Sequence, residues 1–227
     1  MSKKHTPIDD GCGSGLLSSA AFAGELELPC LHRPDMIKPN IILPFSMRNK
    51  RRDASKFLLL REPDVDFDDI LRRPKSYVQK MRNCAGVITL EPVLLETSNY
   101  TAQLAYTYRS RELALALQHE GINVIPHVCW GEERSYAANA PYDNFAFLGL
   151  PPRSILAIGA YGDYTAEPKL YHLRHGLANM LNDLSPAVIL IFGKIPDEIL
   201  SEFKHLTRFL PFPDWGTVTS VPQLRPA

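Results

Sequence analysis

Residues 99–130 read NYTAQLAYTYRSRELALALQHEGINVIPHVCW, and this stretch decides the fold. Thr97, Ser98 and Asn99 offer N-cap oxygens, and Gly121 offers the left-handed C′ position that ends a helix. Between them lies a run of roughly twenty residues free of Pro and Gly, rich in Ala, Leu, Gln, Arg and Glu, which predicts a long helix. Beyond Gly121, Ile122–Trp130 is apolar at successive positions: Ile122, Val124 and Val128 point one way, Ile125 and Cys129 the other. A strand apolar on both faces and entered directly from a helix is the unit of a parallel sheet covered by helices.

The same alternation extends outward. Upstream lie the apolar runs Ile41–Phe45 and Phe57–Leu60, separated by the basic run Arg48, Lys50, Arg51 and Arg52. An acidic cluster (Asp64, Asp66, Asp68, Asp69) then opens a helix from about Phe67 to Arg82, acids first and bases last, in the order that complements the helix dipole. Pro74 is placed to kink or split it. Gly86–Leu90 is the strand before the quoted unit. Downstream, Ser154–Ala160 and Ala187–Phe192 are strands, and Lys169–Leu184 and Pro196–His205 are helices. The expectation is an α/β fold: a mostly parallel sheet of about five strands flanked by helices, joined by right-handed crossovers. An open sheet is preferred, with a partial barrel as the alternative. Residues 1–25 read as a flexible N-terminal segment, 26–209 as a single α/β domain, and 210–227 as a Pro-rich tail lying extended on the surface.

Composition narrows the function classes. In 227 residues, 25 basic and 25 acidic side chains cancel, which gives no general attraction to nucleic acid or anionic membrane. No run approaches the roughly 18 apolar residues of a membrane span, and Met1–Gly24 lacks the apolar core of a signal peptide. The scattered cysteines Cys12, Cys30, Cys84 and Cys129 form no C-x-x-C pair and read as reduced thiols. The cytoplasm is the expected location.

In parallel α/β sheets ligands gather outside the carboxyl ends of the strands. Those ends deliver Glu91 after the first strand, then Trp130, Gly131, Glu132, Glu133 and Ser135 after the second. Gly159, Gly162 and Asp163 follow the third, and Gly193 and Lys194 the last. Glu91 and Glu132 are the candidate general acid or base. Trp130, Ser135, Gly162 and Asp163 are candidate ligand contacts. Each has a plainer reading: a turn glycine, a solvated first turn, a rim aromatic.

On the helix, Arg109 falls on the stripe of Ala102, Ala105, Leu113 and Ala116, and Arg111 on the opposite stripe with Leu104, Tyr108 and Leu115. An alanine-rich stripe should press on the sheet. A guanidinium centred on it needs a carboxylate such as Glu91, backbone carbonyls or an anionic ligand. His127, inside a strand and facing away from Trp130, reads as a satisfied core histidine before a catalytic base. His172 and His175 lack a zinc-site pattern, so neither metal nor cofactor is expected. A third option, metal-assisted hydrolysis through Glu91, Glu132, Asp163 and His127, requires those groups within about 5 Å of one another.

Tyr108-Arg109-Ser110-Arg111, then Gln118 and Gly121-Ile122-Asn123-Val124-Ile125-Pro126, then Trp130-Gly131-Glu132-Glu133 and Ser135, resemble an uncharacterised family. That family occurs in bacteria, phages and other mobile elements and is known only as a domain of unknown function. The likeness takes in Gln103, Ser154–Gly162 and Phe192-Gly193. It implies an α/β fold and a mobile-element context, with the host cytoplasm as the location if the chain is phage-encoded, and it supplies no activity. Where the family has Pro-Asp-Phe-Ser after the first strand, this chain has Leu90-Glu91-Pro92-Val93, which keeps an acid and loses the serine. Tyr106 and Glu112 likewise stand where the family has an asparagine and an aromatic.

Two functions follow as expectations. In one, a small anionic, nucleotide-like molecule is bound or transformed at the strand ends, with Arg109, Arg111 and Gln103 among its contacts. In the other, a non-catalytic phage or plasmid protein binds a host protein or nucleic acid through its basic segments, Arg48–Arg61 and Arg72–Arg82, and its tail. No membrane is expected in either.

Overall fold

The computed structural model of the chain describes residues 17, 19–50, 53–60, 67–89, 99–139, 142–160 and 167–213. Strand β1 (Phe22–Ala23) pairs antiparallel with β2 (Leu28–Pro29), so part of the amino-terminal segment expected to be flexible is folded into a small ladder. The remaining strands are β3 (Ile42–Pro44), β4 (Phe57–Leu59), β5 (Gly86–Ile88), β6 (Val124–Ile125), β7 (His127–Val128), β8 (Ile155–Ala160), β9 (Val188–Gly193) and β10 (Arg208–Phe212). The helices are α1 (Phe67–Arg72), α2 (Pro74–Met81), α3 (Tyr100–His119), α4 (Glu133–Tyr136), α5 (Glu167–Leu184) and α6 (Asp197–Phe203). Pro74 does split the predicted helix, sitting in the first turn of α2, where its missing N–H costs nothing.

Strands β3, β4, β5 and β6 make one parallel sheet, and β7, β8, β9 and β10 a second. The two meet at Pro126, which has no N–H to give to a ladder. The Pro126 carbonyl still accepts from Ala157 N at 3.0 Å. The next amide, His127 N, turns to the Thr89 hydroxyl at 2.9 Å. One interrupted strand therefore serves both sheets, and seven strand positions follow one another in chain order.

The two faces of this sheet differ. Outward side chains such as Leu58, Val87, Val124, Val128, Leu156 and Ile191 pack against α1, α2, α3 and α5 in the larger apolar core. Inward side chains (Ile42, Phe57, Leu59, Ile88, Ile125, Ile155, Ala157, Val188, Leu190, Phe192, Phe212) form a second buried cluster contributed by strands alone. A sheet face covers itself in this way only by curling. Among the described residues no pairing joins β3 to β10, so the curled sheet stays unclosed. The seven strand positions exceed the five expected because Phe57–Leu59 and β10 also join the sheet. Leu210–Phe212, expected in a surface tail, lies in β10, and Phe212 is buried. Pro211 is tolerated because β10 is an edge strand.

Candidate functional site

The best-ordered polar assembly lies where the first half of α3 meets the turn after β7. Asn99 caps α3 as expected, its Oδ1 accepting from Ala102 N at 2.9 Å. The stripe that α3 buries here is Gln103, Thr107 and Ser110, not the alanines: Ala105 and Tyr106 are exposed. From Ser110 to Leu117 the helix is buried on all sides, Glu112 included. Arg109 is half-buried, and the fully buried guanidinium is Arg111. The choice of Arg109 as the buried cation is thereby corrected. The helical wheel placed the alanine stripe inward, but the sheet meets α3 a quarter-turn away.

Arg111 donates to the carbonyls of Ala146 at 2.7 Å and Leu148 at 3.4 Å. Burial pulls its pKa down to about 9, so it still carries its charge at neutral pH. Backbone carbonyls, one of the three partners open to a buried guanidinium, are the ones used. Ala146 N in turn donates to Ser135 O at 2.9 Å. Ser135, fully buried, closes its own turn: its Oγ donates to Glu132 O at 2.6 Å and accepts from Gly131 N at 2.9 Å. Gly131 lies against Gln103, whose Oε1 would be 2.7 Å from any added Cβ. Gln103, Arg111 and Ser135 thus meet around the loop at the carboxyl end of β7, and the sequence blocks that carry the family likeness are contiguous in space.

The other candidates separate. Trp130 turns outward, its Nε1 donating to His172 O at 2.9 Å and its ring edge-on to Phe147 at 6.1 Å. Gly176 gives it room, since a Cβ there would sit 2.1 Å from Trp130 Nε1. Glu132 is exposed at the start of α4 and makes no capping bond with its side chain. Glu91, Gly162 and Asp163 lie outside the described residues. Gly193 has φ of +92° with its α-carbon pressed near Ala160 O, so its turn reading suffices. Nearby, the buried Tyr136 hydroxyl bonds His172 Nδ1 at 3.0 Å, and burial pushes its pKa up to about 12. Among the described residues no three His, Cys, Asp or Glu side chains come close enough to hold a metal ion.

His127 is the residue whose role the sequence understated. It is fully buried on the inward face, two positions after Ile125, with its ring stacked on Phe192 at 6.1 Å between centroids. Its cross-strand neighbour is Ala157, and Gly159 follows on the same face, so small residues flank the imidazole. Among the described residues neither Nδ1 nor Nε2 meets a hydrogen-bond partner. Burial drives its pKa down to about 3, so it is neutral at physiological pH. It is a core histidine as expected, but not a satisfied one. Parity with Ile125 was the available signal for its facing; the missing partner had none.

Residues 20–213 match the family described as domain of unknown function DUF4417, and the chain belongs to that family. The Gene 1 protein of Mycobacterium phage L5 is 27% identical over 184 residues, covering 78% of this chain and 74% of the phage protein. The Gene 1 protein of Mycobacterium phage D29 is 24% identical over 184 residues, covering 78% of this chain and 63% of its own length. The family and phage likeness expected from the YRSR and WGEE blocks is therefore shown. No solved structure matches this chain. Among the described residues no helix is long and apolar enough to cross a membrane.

Proposed function

We propose that the carboxyl rim of the curled parallel sheet binds a small anionic, nucleotide-like ligand, with His127 reaching it from the concave side. The observation that supports this is the unpartnered imidazole of His127. A buried polar group left without a partner costs about 1–3 kcal/mol, and such groups are few in native proteins, a catalytic role or a bound group being among the reasons they persist. A neutral imidazole donates from one nitrogen and accepts at the other, which suits a hydroxyl or ester oxygen better than a bare charge. Arg111 is fully buried and committed to Ala146 and Leu148, while the half-buried Arg109 keeps contact with solvent, and it is assigned to the anion by its charge and exposure. Should the ligand react, Glu132 and Glu91 are the carboxylates at the strand ends that would serve as acid or base.

Thermal unfolding in the presence of adenosine monophosphate, ribose 5-phosphate or inorganic phosphate tests the reading. A ligand at about a hundred times its Kd adds about 2.7 kcal/mol of stability, a readily seen rise in Tm. That rise should shrink in both Arg109→Ala and His127→Leu. No rise with any of the three compounds, or an equal rise in both variants, would sink the reading.

A further inference from the structure

A second surface, formed by the 45–50 loop that leaves the carboxyl end of β3 together with α2, has its own chemistry. Between Ile70 and Arg82 the chain holds Arg72, Arg73, Lys75, Lys80 and Arg82 and no acid. All five are exposed, together with Ser76, Gln79 and Asn83. Val78 and Met81 are fully buried and fix the inward face of α2. At 3.6 residues per turn, Ser76, Gln79 and Lys80 point away from that face, with Lys75 and, just past the helix end, Arg82 on its flank. Arg48 is brought to the same place by aromatic contact, because the Phe45 and Tyr77 rings lie 5.7 Å apart. Arg48 sits over Phe45 at 4.7 Å and Lys80 over Tyr77 at 4.6 Å. Two cations from separate segments are thus held over adjoining rings, with exposed Lys50 beside them. Two acids whose side chains are described are engaged locally: Asp69 binds Arg73 and the Tyr77 hydroxyl, and Asp53 binds Ser55 N and Oγ.

We infer that this face, the 45–50 loop with α2, binds the phosphate backbone of duplex nucleic acid. Its exposed residues are cations interleaved with Ser, Gln and Asn, the donors that such backbones take up. A membrane-surface helix needs exposed large apolar residues opposite its charges, and here that side of α2 is buried in the protein's own core. Single-strand binding relies on open aromatic faces for base stacking, whereas both rings of this patch are covered by cations. Contact through phosphates alone makes the binding independent of base sequence and dependent on salt.

Fluorescence anisotropy of a short labelled duplex, at salt from about 50 to 200 mM, tests the inference. The full chain should bind the duplex regardless of base sequence, with affinity falling steeply as salt rises. Changing Lys75→Gln, Lys80→Gln and Arg82→Gln together should weaken binding at least tenfold, roughly, and reduce the salt slope by about 3, near 0.9 per lost phosphate contact. A control triple at exposed cations elsewhere (Lys169→Gln, Lys204→Gln, Arg208→Gln) should bind like wild type. The inference is overturned by absence of duplex binding at the lowest salt, by equal loss in the control triple, by wild-type affinity in the α2 triple, or by binding confined to single strands or phosphatidylserine vesicles. Circular dichroism of the α2 triple separates loss of contact from loss of fold.

Discussion

The two sides of the strand at β7 bury polar groups in opposite ways. On the outer side, Arg111, Ser135 and Trp130 each find a backbone partner at ordinary hydrogen-bond distance. On the inner side, only residues apart in sequence, His127 presents two ring nitrogens to an apolar wall. The outer residues hold a loop in place, and their bonding is complete without a ligand. The inner residue is the one left with unused hydrogen-bonding capacity. The lesson is that Arg111, Ser135 and Trp130, though they belong to the blocks with the family likeness, are engaged in holding the loop, while the proposed site draws on a histidine next to them.

The sharpest way to break this contrast is to remove Arg111. Arg111→Met strands the Ala146 and Leu148 carbonyls and should cost on the order of 3 kcal/mol, since bonds to a charged donor are worth about 1.5–3 kcal/mol each. Urea unfolding midpoints measure it, and a loss under about 1 kcal/mol would mean the brace is dispensable. His127 should act through pH instead. Its pKa falls from 6.5 in the unfolded chain to about 3 in the folded one. Stability attributable to the neutral imidazole is therefore full above 6.5 and is lost as pH falls from there toward 3. The loss is at most about 1.4 kcal/mol per pH unit. His127→Leu should flatten this acid limb in Tm measured from pH 7 down to about 4.5, and an unchanged limb would place the titration elsewhere.

At neutral pH the same substitution should raise stability by about 1–2 kcal/mol, because an unpartnered buried polar group is replaced by an apolar one of similar size. Arg111→Met and His127→Leu thus have opposite signs although both sites are fully buried, and equal signs would erase the distinction. The smallest effect belongs to Ser135→Ala. It removes one closing bond of the 131–135 turn and should cost about 1 kcal/mol, read from the same urea curves.

Much of the fold was legible because its signals are local. Asn99 and Gly121 bound α3 almost to the residue, and the two-faced apolar runs Ser154–Ala160 and Ala187–Phe192 became β8 and β9, each within a residue. β10 was hidden by Pro211, which disqualifies a central strand but not an edge one. The curl of the sheet depends on side chains from distant strands meeting, and no local pattern encodes that. The site was less legible for the same reason. Gln103, Thr107 and Ser110 recur at helical spacing and could have announced an inward polar stripe, but the alanines offered a conventional one. Whether Arg111 or His127 finds a partner depends on carbonyls and rings contributed from elsewhere in the chain.

The interruption at Pro126 has a consequence for how the chain comes into being. Ile42, Phe57, Leu59, Ile88 and Ile125 line the concave face ahead of the proline, and their cover comes from Ile155, Val188, Leu190, Phe192 and Phe212 after it. During synthesis from the amino end, the first sheet can pair its strands and gather α3 while its inner surface stays wet. Only when β9 and β10 leave the ribosome does that surface close. Until then the nascent chain carries an apolar trough, and the last strand made is one of those that seal it.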